Sequence, residues 1–126
     1  MKSFILILIL VTFTICGCNP NRPNRQTEQK MRLVEKSVHV GDTAASVIQF
    51  ADAQGWHHER FPKAEESALF SSQEYDFFCR IYDQSRSKDF ELLVAFDSTG
   101  KVMKNGITIY YLPLFGPRGK FTPNTR

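Results

Sequence analysis

The feature that most constrains the fold is a change in the spacing of apolar residues after Glu74. In three segments between there and Leu112, apolar side chains recur at every second position. The series is clearest at four residues in the middle of this region: Phe90, Leu92, Val94 and Phe96. A period of two is typical of β-strands with one buried face. The pattern predicts three antiparallel strands, at about residues 75–82, 89–97 and 101–112.

Three details refine this sheet. The segment Asp97-Ser98-Thr99-Gly100-Lys101 has the residues of a hairpin turn between the second and third strands. Gly106 interrupts the last strand and predicts a bulge or a weak point. Cys79 falls on the apolar side of the first strand, so we predict a buried, unreactive thiol.

A helix is predicted from Ala44 to Gln54. Four apolar residues of this segment share one helical face: Ala44, Val47, Ile48 and Ala51. Asp42 or Thr43 can accept the free backbone N–H groups at its start, and Gly55 can end it in a left-handed conformation.

Between this helix and the sheet, the pattern is weaker. Trp56 to Phe61 can form a short strand, and Pro62 can start a second helix that runs to Leu69. The predicted fold class is therefore α+β, with two layers. One or two N-terminal helices pack on a three-stranded antiparallel sheet.

The first eighteen residues have the form of an export signal. Lys2 precedes an apolar stretch from Phe4 to Ile15, which spans 12 positions, whereas a membrane-spanning helix needs about 20. The stretch ends in Ile15-Cys16-Gly17-Cys18, which resembles the lipobox of bacterial lipoproteins. The resemblance implies cleavage before Cys18 and attachment of acyl chains there, because the small Gly17 suits the peptidase better than the Ile15 that precedes Cys16. A plain signal peptide cut elsewhere, or an uncleaved anchor, is the alternative.

Composition divides the chain into four parts. Residues 1–17 are the predicted signal peptide, 18–36 a lipidated polar tether, 37–115 the α+β domain and 116–126 a flexible basic tail. The basic residues of the tether are interpreted as a solvated spacer, with attraction to anionic lipid as the alternative. The domain itself carries seven cations and eleven anions, which disfavours nucleic-acid binding.

The sequence carries no pattern typical of catalysis. Gly-x-Ser-x-Gly and glycine-rich phosphate loops that open a helix are both absent. His57-His58-Glu59 could place two side chains on one face of a strand, but a zinc site needs three or four ligands. We therefore expect no enzyme activity, metal, cofactor or small-molecule substrate.

Amphipathic aromatic residues favour a binding role instead. Trp56, Tyr110 and Tyr111 are the candidate contact residues, because aromatic side chains of this kind are enriched in protein interfaces. Neighbours such as Tyr110 and Tyr111 point to opposite faces of a strand, so at least one lies outside the main core. The expected partner is another protein of the cell envelope.

Two segments resemble the BamE/SmpA-type small outer-membrane lipoproteins. They are Val38-His39-Val40-Gly41-Asp42-Thr43, which enters the first helix, and Phe96-Asp97-Ser98-Thr99-Gly100-Lys101-Val102, which forms the hairpin. Gly55-Trp56-His57 stands where that family usually has Gly-x-Pro. The resemblance implies a non-catalytic accessory module in outer-membrane assembly or maintenance. An inhibitor or immunity protein against an envelope hydrolase or toxin is the alternative.

The residue after the predicted anchor bears on location. By general lipoprotein sorting behaviour, Asp after the acylated cysteine favours retention in the inner membrane, and here that residue is Asn19. We therefore expect the protein at the outer membrane, facing the periplasm and held by the acyl chains on Cys18.

Overall fold

The computed structural model describes residues 22–63, 75–86 and 89–123. Within these residues, two helices precede a five-stranded antiparallel sheet whose strands lie in chain order. The elements are α1 (Arg25–Ser37), α2 (Ala44–Ala53), β1 (His57–Pro62), β2 (Phe77–Tyr82), β3 (Phe90–Phe96), β4 (Val102–Tyr111) and β5 (Gly119–Phe121). The predicted α+β class is confirmed, but the sheet has five strands where the sequence predicted three.

The two additional strands form the edges of the sheet. β1 pairs with β2 from His57↔Tyr82 to Pro62↔Phe77, which incorporates the predicted short strand into the sheet. β5 pairs with β4 through three residues, and Phe121 packs on the core. Residues 119–121 therefore form a strand and not the flexible tail that the sequence predicted. The strand could not be predicted, because three residues are too few to show a period of two.

Helix α1 corrects the interpretation of residues 25–36 as flexible tether. Asn24 caps the helix, since its side chain accepts a hydrogen bond of 2.8 Å from the backbone N–H of Thr27. Met31 packs on the core, and Val34 is fully buried within it. The sequence did not predict this helix, because its apolar residues form only one narrow stripe among many charged residues.

Helix α2 confirms the first predicted helix. Thr43 caps the helix, since its side-chain oxygen accepts a hydrogen bond of 3.2 Å from the backbone N–H of Ser46. The helix ends at Ala53. Gly55 follows with a φ of 72°, in the left-handed region.

Pro62 is the last residue of β1, and residues 64–69 of the second predicted helix lie outside the described residues.

The main core lies between the helices and one face of the sheet. Phe90, Leu92, Val94 and Phe96 are all fully buried in it, as predicted from their spacing. The sheet places Cys79 on the same face, where it is 1 % exposed, so the predicted burial of this thiol is confirmed. Burial raises the pKa of the thiol, against the opposing effect of the nearby Arg60 cation.

The hairpin between β3 and β4 is closed by Asp97. Its carboxylate accepts hydrogen bonds from the Thr99 hydroxyl and from the backbone N–H groups of Thr99 and Lys101, and these bonds lower its pKa. The predicted irregularity at Gly106 is a bulge: the register changes between Val94 and Phe96. A Cβ at Gly106 would lie 2.9 Å from the carbonyl oxygen of Ala95, so the backbones approach too closely for another residue.

Candidate functional site

The sheet has a second apolar face, which we call the outer face because it points away from α1 and α2. Its side chains form a separate cluster made of Tyr75, Phe78, Leu93 and Ala95, with Phe61, Met103 and Tyr110 packed against them. All seven residues of β3 are buried, so this strand is covered on both sides. The uninterrupted apolar run 92–96 was the available signal in the sequence for a second buried face.

A groove of about 570 Å³ crosses this outer face. Its lining comprises Phe61, Phe78, Arg80, Glu91, Leu93, Tyr110 and Arg118. One part of the lining is apolar and aromatic, and the other part is ionic. This combination of apolar walls and a few fixed polar groups is typical of binding sites.

The aromatic part is built by β1 and β2. Phe61 stacks on Phe78 with ring centroids 5.2 Å apart, and Tyr75 meets the edge of Phe78 at 6.1 Å. The Tyr75 hydroxyl donates a hydrogen bond of 3.4 Å to the carbonyl oxygen of Lys63. These contacts fix the aromatic rings, so the apolar wall of the groove has a defined shape.

The ionic part is centred on Glu91, which lies between two arginines. Arg80 Nε is 3.0 Å from Glu91 Oε1, and Arg118 Nη2 is 3.0 Å from Glu91 Oε2. The hydrogen bond to Glu91 is the main cause of a raised pKa for Arg80. Glu91 is only 9 % exposed. Burying a carboxylate is costly, and here the pairing of both oxygens with guanidinium groups offsets that cost.

A second carboxylate, Glu59, extends this network along β1. Its Oε2 is 3.6 Å from Arg80 Nη1, while its Oε1 accepts a hydrogen bond of 3.4 Å from the Tyr82 hydroxyl. The Arg80 guanidinium lies 4.6 Å from the centre of the Tyr82 ring, within the range of a cation–π contact. Arg80 is therefore held by two carboxylates and one aromatic ring.

The structure separates the three predicted contact residues. Trp56 is 7 % exposed and packs between Phe50 and Phe90, with ring centroids 5.5 and 5.3 Å away, so its assignment as a contact residue is wrong. Tyr110 lines the groove. Tyr111 lies on the opposite face of β4, where its ring covers Gly119. The predicted lipidation site, Cys18, lies outside the described residues.

The histidine cluster has the geometry expected of a strand. His57 Nε2 is 3.3 Å from Glu59 Oε1, on the outer face, whereas His58 Nε2 is 3.0 Å from Asp52 Oδ1. Within the described ranges, no three His, Cys, Asp or Glu side chains come together as ligands for a metal ion.

Comparisons with known proteins add no functional assignment. No family model matches the chain, and neither a curated protein nor a solved structure does. In the part of the chain that the structure describes, no helix combines the length and apolar character needed to cross a bilayer.

Proposed function

We propose that this protein is a lipid-anchored envelope lipoprotein that acts as a non-catalytic binding module. The signal in the sequence supports the anchor, and the groove on the outer face supports binding. The observation that carries the binding role is Glu91, held between Arg80 and Arg118 beside a fixed aromatic wall. Arginine and aromatic residues dominate the energetics of protein interfaces.

The chemistry of the groove favours a protein segment that presents an apolar side chain next to a carboxylate. Phe61, Phe78 and Tyr110 offer the apolar contact. Arg80 and Arg118 each carry five N–H donors, more than their contacts with the two glutamates use. Such a partner would belong to an assembly or maintenance machine of the outer membrane, on the side that faces the periplasm.

The groove is tested by photo-crosslinking in native membranes. A photoreactive phenylalanine at Tyr110 is expected to give a discrete adduct with one membrane protein, whereas the same residue at the exposed Gln54, which follows α2, gives none. Arg118→Glu is expected to abolish the adduct because it places a carboxylate beside Glu91. Lys101→Glu makes the same change of charge at an exposed position of the β3–β4 turn, outside the groove lining, and should preserve the adduct.

Two outcomes would contradict this proposal. Equal adducts from positions 110 and 54 would mean that the groove is not the contact surface. A soluble hydrolase or toxin as the crosslinked protein would favour the inhibitor role over the accessory role.

The anchor is tested separately by metabolic labelling with palmitate. Cys18→Ser removes the sulfur that would carry the diacylglycerol, so labelling is expected to disappear. Cys16→Ser is the matched control, since it changes a cysteine within the signal and should preserve labelling. Persistent labelling of Cys18→Ser, or loss of labelling in Cys16→Ser, would show that the assignment of the anchor is wrong.

A further inference from the structure

The loop between β4 and β5 exposes three large apolar side chains. Leu112 is 42 % exposed, Leu114 is 52 % and Phe115 is 71 %. Exposed apolar residues that are adjacent to one another mark a contact surface more often than single scattered ones do. None of these three side chains lines the groove described above.

The backbone of this loop is held against the segment that immediately precedes α1. Pro113 is buried and forms a bridge with Pro23. The backbone N–H of Leu114 donates a hydrogen bond of 3.1 Å to the carbonyl oxygen of Arg22. The apolar side chains are therefore presented from a held backbone, directly beside the point where the chain enters α1.

A basic depression adjoins the loop. It has a volume of about 470 Å³, and its lining includes Leu114 together with Arg22, Arg25 and Arg32. Glu28 is the one acidic residue of that lining, with Oε2 3.3 Å from Arg22 Nη2 and Oε1 3.1 Å from Arg32 Nη2. Three guanidinium groups against one carboxylate leave the depression positively charged.

The position of this corner relative to the predicted anchor is limited by covalent geometry. Arg22 follows Cys18 by four residues, so their Cα atoms are at most about 14 Å apart whatever the conformation of the residues between them. An acyl group on Cys18 thus keeps the arginines and the apolar loop close to the bilayer surface. Helix α1 removes the longer spacer that would have allowed the domain to move away.

We propose that Leu112, Leu114 and Phe115, together with Arg22, Arg25 and Arg32, form a surface that docks on a bilayer containing anionic lipids. The apolar side chains enter the boundary between headgroups and acyl chains, while the arginines contact lipid phosphates. The acyl chains and this surface then hold the protein in one orientation on the membrane. This inference rests on the proposed acylation of Cys18.

The first test uses the acylated protein reconstituted in vesicles of phosphatidylcholine and phosphatidylglycerol. A polarity-sensitive probe is attached at Phe115→Cys or, as the matched control, at Ser98→Cys in the exposed β3–β4 turn; Cys79 is 1 % exposed and does not compete for the label. We expect quenchers carried on the acyl chains to reduce the emission of the probe at 115 and to leave that at 98 unchanged. Equal quenching of the probes at positions 115 and 98 would overturn the proposal.

The second test uses the mature chain with Cys18→Ser, so that failure of acylation and failure of docking are distinguishable. We expect it to sediment with vesicles that contain phosphatidylglycerol and not with vesicles of phosphatidylcholine alone. Arg22→Glu with Arg25→Glu should weaken this binding by about tenfold or more. Lys101→Glu with Lys104→Glu makes the same change of net charge at exposed positions elsewhere and should weaken it much less. Equal weakening by both pairs, or no sedimentation, would overturn the docking surface even if palmitate labelling of Cys18 succeeds.

Discussion

Phe96→Ala is expected to lower the free energy of unfolding by about 3–5 kcal/mol, the usual range for truncating a buried phenylalanine. Phe96 is fully buried, and its ring stacks on that of Phe77 with centroids 4.9 Å apart. Domains of this kind have a total stability of about 5–15 kcal/mol. The variant should therefore lose a large part of its stability and unfold at a much lower urea concentration than the wild type, which urea denaturation followed by circular dichroism would measure.

Phe115→Ala is the matched control for this prediction. It deletes the same atoms at a position that is 71 % exposed, so its free energy of unfolding should stay within about 0.5 kcal/mol of the wild type. If the two variants unfold at the same urea concentration, the assignment of Phe96 to the core face is wrong.

Val34→Asp is expected to destabilise the protein by about 3–5 kcal/mol, as an uncompensated buried charge does. Val34 is fully buried in α1, against the core cluster of the sheet. A flexible spacer would tolerate this substitution, so the measurement distinguishes a structural helix from a tether. The readout is again the midpoint of urea denaturation.

Gln29→Asp is the control for the helix. It introduces the same side chain at an exposed position of α1, where the charge remains hydrated. We expect a change of no more than about 0.5 kcal/mol. Similar loss of stability in Val34→Asp and Gln29→Asp would indicate that the new residue perturbs the helix itself rather than its packing.

The elements predicted correctly are those whose signals are local. β3 has an apolar residue at every second position of its core face, and α2 has both a capping threonine and a terminal glycine. Helix α1 was missed because only three of its thirteen residues are large and apolar: Met31, Leu33 and Val34. Their burial depends on a sheet that lies far along the chain, which no local pattern can reveal.

The groove was missed for a related reason. Glu91 meets Arg80 and Arg118, which are 11 and 27 residues away in sequence. Only the pairing of four strands brings these side chains onto one face, and the strand register is not legible from composition. Tyr110 and Tyr111 lie on opposite faces of β4, as expected of neighbours on a strand. Trp56 lies in the core, because aromatic character alone does not distinguish a core residue from a contact residue.

The strand order has a consequence for how the chain assembles. Each strand pairs with its neighbour in sequence, so the sheet can grow by adding one strand at a time to the preceding one. Helix α1 is held by residues far along the chain: Lys30 pairs with Asp83, 53 residues later, and the Gln26 side chain accepts a hydrogen bond from Arg86, 60 residues later. Of the two helices in the described residues, the one that is synthesised first is thus secured only after residues far along the chain have been made. Until β2 and β3 have formed, its apolar stripe is available to chaperones, to other chains and to any membrane surface nearby.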